Sequence, residues 1–183
     1  MKKLLRCLLM TVVALCFSLP CFSSAEAATV ALLPLINNIQ GDEVANQYFY
    51  KEAISTMNKQ KGFLLVENDK LTAAIEAANV GNEVPSELTM AKIAKEGNVD
   101  MVIAIQIDTI NDIPQYSSEE NRLKMDIQGY TASYNALTGV YKKDRIYNDS
   151  TYPDVLAARW DLVHEEFGRE VRRAITKALK AKK

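Results

Sequence analysis

The chain is poor in the residues that most reactive sites need. Its 183 residues include one His and three Cys, with only 7 Gly and 5 Pro. So few His and Cys leave little for a metal centre or a nucleophile–base pair, and so little Gly and Pro excludes a low-complexity linker. The 22 basic side chains are matched by 23 acidic ones, whereas nucleic-acid binders usually carry a basic excess. The chain as a whole is 48% hydrophobic and 25% charged, which is the composition of a globular protein.

The amino terminus is typical of a secretory signal peptide. Basic residues at positions 2, 3 and 6 precede an uncharged, mostly apolar run at residues 7–19, and small residues follow at positions 25 and 27. The run has 13 residues, fewer than the roughly 20 that a membrane-spanning helix needs. We therefore predict export to the periplasm or the periphery of the outer membrane. An uncleaved membrane anchor is the alternative.

Cleavage after Ala27 would leave one α/β domain, residues 28–183, with no transmembrane span. Removing residues 1–27 leaves 156 of the 183 residues, which is enough for a single core. It also removes Cys7, Cys16 and Cys21, so the exported form has no thiol chemistry and no disulfide. Lipid attachment at Cys21 is disfavoured, because Pro20 stands where a small residue normally precedes a lipidated Cys.

The first half of this domain alternates strands and helices. Apolar runs predict strands at residues 29–36, 63–66 and 99–110. Helical periodicity and capping residues predict helices over residues 42–60, 69–78 and 88–96. Because right-handed crossovers join parallel strands, we expect three parallel strands at the centre of a sheet, with the helices packed on it.

The second half reads as antiparallel. Residues 111–121 are polar, include Pro114, and are expected to form an exposed loop. From Arg122 polar and apolar residues alternate, and the apolar parity changes after Gly129, which predicts a β-bulge near this glycine. A turn at residues 135–139, a strand at 140–148 and a helix from Pro153 to about Lys180 follow. The predicted fold is a mixed α/β sheet of about five strands with a long C-terminal helix.

Groups that could carry catalysis are few and scattered. His164 is the only side chain that titrates near neutral pH, and neither a second His nor a nucleophile elbow accompanies it. We interpret it as a surface or boundary residue of the last helix. No glycine-rich phosphate loop follows the first strand. We predict no catalytic residue, no metal site, no cofactor and no enzymatic activity.

Polar residues that follow the predicted parallel strands suggest an alternative function. Ligand sites of open α/β sheets lie at the carboxyl ends of their strands. The residues at these ends are Asn37, Asn38, Asp108 and Asp112. They predict a site for a small molecule or a nucleotide-like ligand.

Tyr side chains concentrate in the predicted hairpin. Tyr supplies wide, amphipathic contact area at interfaces, which favours binding of another envelope protein or self-association through the hairpin and its edge strand. The candidate residues are Tyr130, Tyr134, Tyr141 and Tyr147. The alternative is cross-strand packing within the hairpin.

The last helix carries a basic face. Arg169, Arg172 and Arg173 share one side of the helix by their spacing. They are candidates for contact with anionic lipid or an acidic partner. The favoured alternative is a solvated face that complements the negative end of the helix dipole.

Three segments resemble a group of bacterial envelope domains. They are TVALLPLINN at residues 29–38, AKIAKEGNVDMVIAIQI at 91–107, and YNALTGVYKKDRI at 134–146. They are similar to the CsgG-type curli secretion domain, to the lipoprotein activators of peptidoglycan synthases and to the amino-terminal domain of TolB. The resemblance implies an α/β fold, an envelope location and a non-catalytic, protein-binding or assembly role. It transfers no functional residue.

Overall fold

The computed structural model describes residues 27–39, 43–116, 121–153 and 159–180, which form a mixed sheet with helices on both faces. The elements are β1 (Ala28–Leu32), β2 (Ile36–Asn37), α1 (Glu43–Lys59), β3 (Phe63–Leu65), α2 (Asp69–Ala78), α3 (Glu87–Gly97), β4 (Met101–Tyr116), β5 (Asn121–Asn135), β6 (Val140–Pro153) and α4 (Arg159–Lys180). The predicted fold class is confirmed. The predicted signal peptide, with Cys21, lies outside the described residues except for Ala27.

The sheet has a parallel half and an antiparallel half. Its strand order is β3-β1-β4-β5-β6, and β2 pairs with β4 further along. Strand β1 runs parallel to both β3 and β4, whereas β4, β5 and β6 are antiparallel neighbours. The strand predicted over residues 29–36 is divided around Pro34, which has no N–H to donate to a ladder.

The prediction of an exposed loop at residues 111–121 is wrong in part. Strand β4 continues to Tyr116, which pairs with Asn121 at the start of β5. Within the described residues, β4 has β5 alone as neighbour beyond Ile107. Pro114 is compatible with this arrangement because proline is tolerated on an edge strand.

A bulge exists, but it lies on β4 and not on β5. Ile107 pairs with Gly129 and Thr109 pairs with Gln128, so Asp108 is an extra residue in β4. The apolar parity of β5 changes near Gly129 for another reason. Up to Ile127 the apolar residues pack under the helices of one face, and from Tyr130 onward they pack under those of the other.

Two apolar layers sandwich the sheet. On one face, Phe49 of α1 and Phe167 of α4 are buried against β1 and β4, and on the other Leu71 of α2 and Ile93 of α3 are buried. In α4 and just before it, the spacing of apolar residues predicts a buried stripe made of Leu156, Trp160, Val163, Phe167, Val171, Ala174 and Ala178. Its members from Val163 onward are buried, together with Ile175 and Leu179. Leu156 and the Trp160 side chain lie outside what the structure describes.

The buried row of α1 is displaced from the predicted one. The helical spacing of Val44, Tyr48, Ala53, Ile54 and Met57 predicts an inward stripe. Ala53 and Met57 are buried as predicted, whereas Val44 and Ile54 are both 41% exposed. Ala45 and Phe49 complete the buried row. This i, i+4 spacing still places a single stripe on the core.

Replacement of Gly129 tests the bulge. A Cβ at this position would lie 2.1 Å from the backbone oxygen of Gln106, a clash that only backbone movement can relieve. Overpacking typically costs about 1–3 kcal/mol and sometimes more, so we expect Gly129→Ala to lower the free energy of unfolding by at least about 2 kcal/mol in urea denaturation. Gly81→Ala is the control, because a Cβ there meets nothing within 4 Å. Equal stability of the two variants would contradict the bulge geometry.

Candidate functional site

At their distal ends, the long strands have one face that no described helix covers. In β5, Leu123, Met125 and Ile127 are at most 1% exposed beneath α4. The alternating residues Lys124, Asp126 and Gln128 point to the opposite side and remain partly exposed. Helix α3 covers this opposite side only nearer the β5–β6 turn, where Ala132 is buried. The distal sheet therefore presents a solvent-accessible face.

We call this surface the open face, and cross-strand register defines its residues. It consists of Thr109, Asn111 and Ile113 of β4, Lys124, Asp126 and Gln128 of β5, and Arg145, Tyr147 and Asp149 of β6. Tyr147 is 56% exposed and Ile113 is 45% exposed. Aromatic and Arg side chains are enriched at protein interfaces, and Tyr147 and Arg145 supply one of each.

The polar side chains of the open face hold one another in place. Arg145 Nη2 donates to Gln128 Oε1 at 3.0 Å, and Gln128 Nε2 donates to the Asp126 carboxylate at 2.9 Å. Asp149 accepts from the Tyr147 hydroxyl at 3.3 Å and pairs with Lys124 at 3.2 Å. The Arg145 guanidinium also lies 5.3 Å from the Tyr147 ring centroid. These contacts order the surface before any partner arrives.

The four predicted Tyr residues lie on the same side of the sheet but in different surroundings. Tyr134 and Tyr141 are direct cross-strand partners and pack with Tyr130 against the α2–α3 layer. The Tyr141 hydroxyl donates to the Pro85 carbonyl at 3.1 Å. Burial raises the pKa of this phenol, and the negative charge of Glu87 raises it further. Tyr147 alone of the four lies on the open face. Three of the four thus take part in helix packing.

The predicted ligand residues are brought together in part. Asn38 Nδ2 donates to Asp108 Oδ1 at 2.7 Å and to the Asn82 carbonyl at 3.0 Å, and Gln106 Nε2 donates to the same Asp108 oxygen at 2.6 Å. Asp112 is not part of this group, because it lies four residues further along β4, opposite Met125.

Asn37 and Asn38 line a cleft of about 390 Å³ at the ends of β1 and α2. Among the described residues, its lining includes one carboxylate, Glu76, and neither Lys nor Arg. This charge disfavours a phosphate-bearing ligand. A neutral polar ligand is compatible with it.

A larger cleft, of about 870 Å³, was not anticipated from the sequence. It lies between α3, the start of β4 and the β5–β6 turn, and Lys95, Asp100 and Tyr134 are among its lining residues. Asp100 is already engaged, since its carboxylate accepts from the Thr29 N–H at 2.8 Å and the Thr29 hydroxyl at 2.9 Å. The cleft depends on contacts between distant parts of the chain, and no local motif marks it.

The basic residues of α4 are bound to acidic partners. Arg169 contacts Glu166 at 2.6 Å, Arg173 contacts Glu170 at 2.5 Å, and Arg172 bridges to Glu52 of α1 at 2.5 Å. Their charge is locally compensated, and the Arg172 pair joins two helices. This favours a structural role for the three arginines.

Two of the acidic partners are buried against β6. Glu166 is 0% exposed and Glu170 is 6% exposed. Asn148 Nδ2 donates to both, at 3.0 and 3.1 Å. Burial, followed by a hydrogen bond to Glu166, raises the pKa of Tyr152 beside this group. The cluster ties α4 to the edge strand.

His164 stacks on Tyr48 of α1, with ring centroids 4.2 Å apart. This places it at the boundary between the two helices. Among the described residues, no group of three or more His, Cys, Asp and Glu is arranged to hold a metal ion. In the same part of the chain, no helix is both long and apolar enough to cross a membrane.

The architecture defines an open, mixed α/β domain with an uncovered antiparallel extension. No protein-family model and no curated protein matches the sequence. Solved structures do resemble it. The hypothetical protein CT253 from Chlamydia trachomatis is 13% identical with a TM-score of 0.48, covering 84% of this chain and 98% of that one. Lipoprotein GNA1162 from Neisseria meningitidis is 11% identical with a TM-score of 0.42, covering 78% and 96%.

The C-terminal domain of LpoB from Escherichia coli is 13% identical with a TM-score of 0.35, covering 71% of this chain and 90% of that one. A lipoprotein is therefore among the similar structures. The CsgG-type and TolB likeness stays a prediction. Similarities of this extent assign no role to any residue.

Replacement of Arg169 tests whether the basic face is structural. We expect Arg169→Gln to lower the free energy of unfolding by about 1–3 kcal/mol, because Glu166 loses its cationic partner in a buried position. Lys180→Gln, on the exposed end of the same helix, should change it by less than about 0.5 kcal/mol. Urea denaturation of both variants measures the difference. Unchanged stability of the Arg169 variant would contradict a structural role, and Arg169 would again be a candidate for contact with anionic lipid or an acidic partner.

Proposed function

We propose that this protein is an exported, non-catalytic component of the bacterial envelope that binds another protein through the open face and the adjoining edge of β6. The observation that carries the proposal is the distal half of the β4–β5–β6 sheet. It is apolar and buried on one side, and on the other it displays a preordered set of Arg, Asp, Gln and Tyr side chains. Surfaces rich in Tyr and Arg are frequent centres of protein interfaces.

Export and location rest on the sequence. The amino-terminal pattern supports passage to the periplasm or the outer-membrane periphery, with Cys21 disfavoured as a lipid site. Contact with anionic lipid through α4 receives little support, because Arg169, Arg172 and Arg173 are paired with carboxylates. The balanced charge of the chain likewise gives no support to nucleic-acid binding.

Photo-crosslinking in intact cells tests the proposed surface. A p-benzoylphenylalanine at Tyr147, 56% exposed on the open face, should capture a specific protein on irradiation. The same residue at Tyr50 is a matched control, because this Tyr is 43% exposed on α1, which packs on the opposite side of the sheet. Equal labelling from both positions, or none from Tyr147, would contradict the proposal.

The cleft beside Asn37 and Asn38 supports a second candidate function, binding of a small polar ligand. Its volume of about 390 Å³ falls within the range of ligand pockets. The Asn38–Asp108 hydrogen bond at 2.7 Å orders its rim.

Titration with adenosine and with AMP separates the ligand classes. Because the lining bears Glu76 and no cation, we expect the neutral nucleoside to shift the backbone amide resonances of Asn37 and Asn38 and the nucleotide not to shift them. Asn111, an exposed residue of β4, serves as the unaffected reference. Binding of AMP alone would contradict the charge argument, and the absence of both shifts would count against the ligand function.

A further inference from the structure

Among the described residues, the sheet has four edge segments, on β2, β3, the distal part of β4 and β6. Strands β2 and β3 have only two and three residues, and the distal part of β4 contains Pro114, which cannot donate to an added strand. Strand β6 has 14 residues and its only proline is the last one, Pro153. Within the described residues, β5 is the only strand that pairs with β6. This edge is therefore the one able to accept another strand.

Charges along β6 are arranged as a gradient on the side of the open face. Going along the strand, the residues on this side are Lys143, Arg145, Tyr147 and Asp149. The cations come first and the carboxylate last. When a second identical strand runs antiparallel, its carboxylate end lies against the cationic end of the first. The strand is thus complementary to itself, as an isologous interface requires.

We infer that the partner of the β6 edge is a second copy of this chain, paired antiparallel about Tyr147. The inference rests on the proposed function and names the partner. In this register Arg145 faces Asp149 of the second copy twice, and the two Tyr147 rings meet at the two-fold axis. Opposite charges placed across strands stabilise pairing, and like charges destabilise it.

Like-charge contacts exclude the registers centred two residues away on either side. Pairing centred on Asp149 would set this carboxylate against its own copy, and pairing centred on Arg145 would do the same with two guanidinium groups. Pairing centred on Ile146 brings Lys143 to Asp149 of the second copy and avoids repulsion, and pairing centred on Asn148, which brings Lys143 to Pro153, avoids it as well. The three surviving registers differ in what faces Lys143, so they are separable by experiment.

The rest of the molecule is compatible with the pairing. A two-fold axis perpendicular to the sheet keeps both open faces on one side and both α4 helices on the other. On the α4 side of β6, Ile146 faces Asn148 of the second copy and Asp144 faces Ser150, so no like charges are opposite each other there. A strand-edge contact is smaller than the roughly 1,600 Å² of a standard interface, so we expect a dimer of micromolar affinity.

Cysteine pairing reports the register directly. The full chain is produced with Cys7, Cys16 and Cys21 replaced by Ala, so that an introduced cysteine is the only one. Tyr147→Cys should oxidise to a disulfide-linked dimer, because residue 147 faces its own copy. Lys143→Cys and Thr151→Cys should each stay monomeric alone and form a mixed disulfide together, since 143 and 151 are opposite each other. A 143–149 disulfide in place of these would overturn the register in favour of the one centred on Ile146.

Sedimentation equilibrium tests the association itself. The wild-type protein should show a reversible dimer, Arg145→Glu should weaken it about tenfold, and Arg145→Glu with Asp149→Arg should restore it. Lys143→Glu is the control and should have little effect, because Thr151 faces it. The contact of Asp149 with Lys124 also changes in the double variant. Concentration-dependent amide protection of residues 143–151 in the wild-type protein, absent at residues 63–65, therefore provides a measurement that needs no substitution.

A protein that stays monomeric to about 0.5 mM, without concentration-dependent protection in β6, overturns the inference. Capture of a different protein by the Tyr147 crosslinker would then still support the proposed function. Dimerisation that survives Arg145→Glu unchanged places the contact elsewhere and also overturns the inference. Crosslinking of Tyr147 to a second copy of the chain supports both.

Discussion

The contact between Gly129 and the backbone of Gln106 is the constraint on which the extended sheet depends. Where the two strands approach this closely, β4 takes up one additional residue, Asp108. The insertion reverses the side to which every later residue of β4 points. Ile110 then faces α4 and Ile113 faces solvent. An unbulged strand would invert this distribution and expose the residues that the helix now covers.

The arrangement of the parallel half follows from features that are local in the sequence. The helices α2 and α3 begin where Asn68 and Ser86 accept from backbone N–H groups, and each ends at an Asn in the left-handed conformation. Short apolar runs between such signals are enough to predict the strands, although β3, expected to be buried, is an edge strand in which Leu64 is 57% exposed. The bounds of α2 and α3 consequently agree with the prediction to within a residue.

The distal part of β4 is harder to predict, because residues 111–116 are mostly polar and include Pro114, whereas the alternation of polar and apolar residues predicts β5. Residues 111–116 are strand only because β5 lies beside them, and nothing near Pro114 in sequence records that neighbour. The candidate surface has the same origin. Tyr147 was recognised as an interface residue by type, but Arg145, Asp149 and Gln128 join it only through the register of β5 with β6. The basic face of α4 also depends on residues that are distant in the sequence. Arg172 pairs with Glu52 of α1. Asn148 of β6 donates to Glu166 and Glu170.

Helix α4 has a consequence for the order of events during biosynthesis. It supplies Phe167, Val171 and Ile175 to the larger of the two apolar layers, together with the carboxylates that satisfy Asn148. Until the ribosome has produced residues up to about 179, α1 is the only described helix on this side of the sheet, Leu123 and Met125 of β5 lack the cover of α4, and the nascent polypeptide cannot reach its compact state. If the protein is exported as proposed, a translocation channel that accepts only unfolded substrates would receive the chain before α4 has packed.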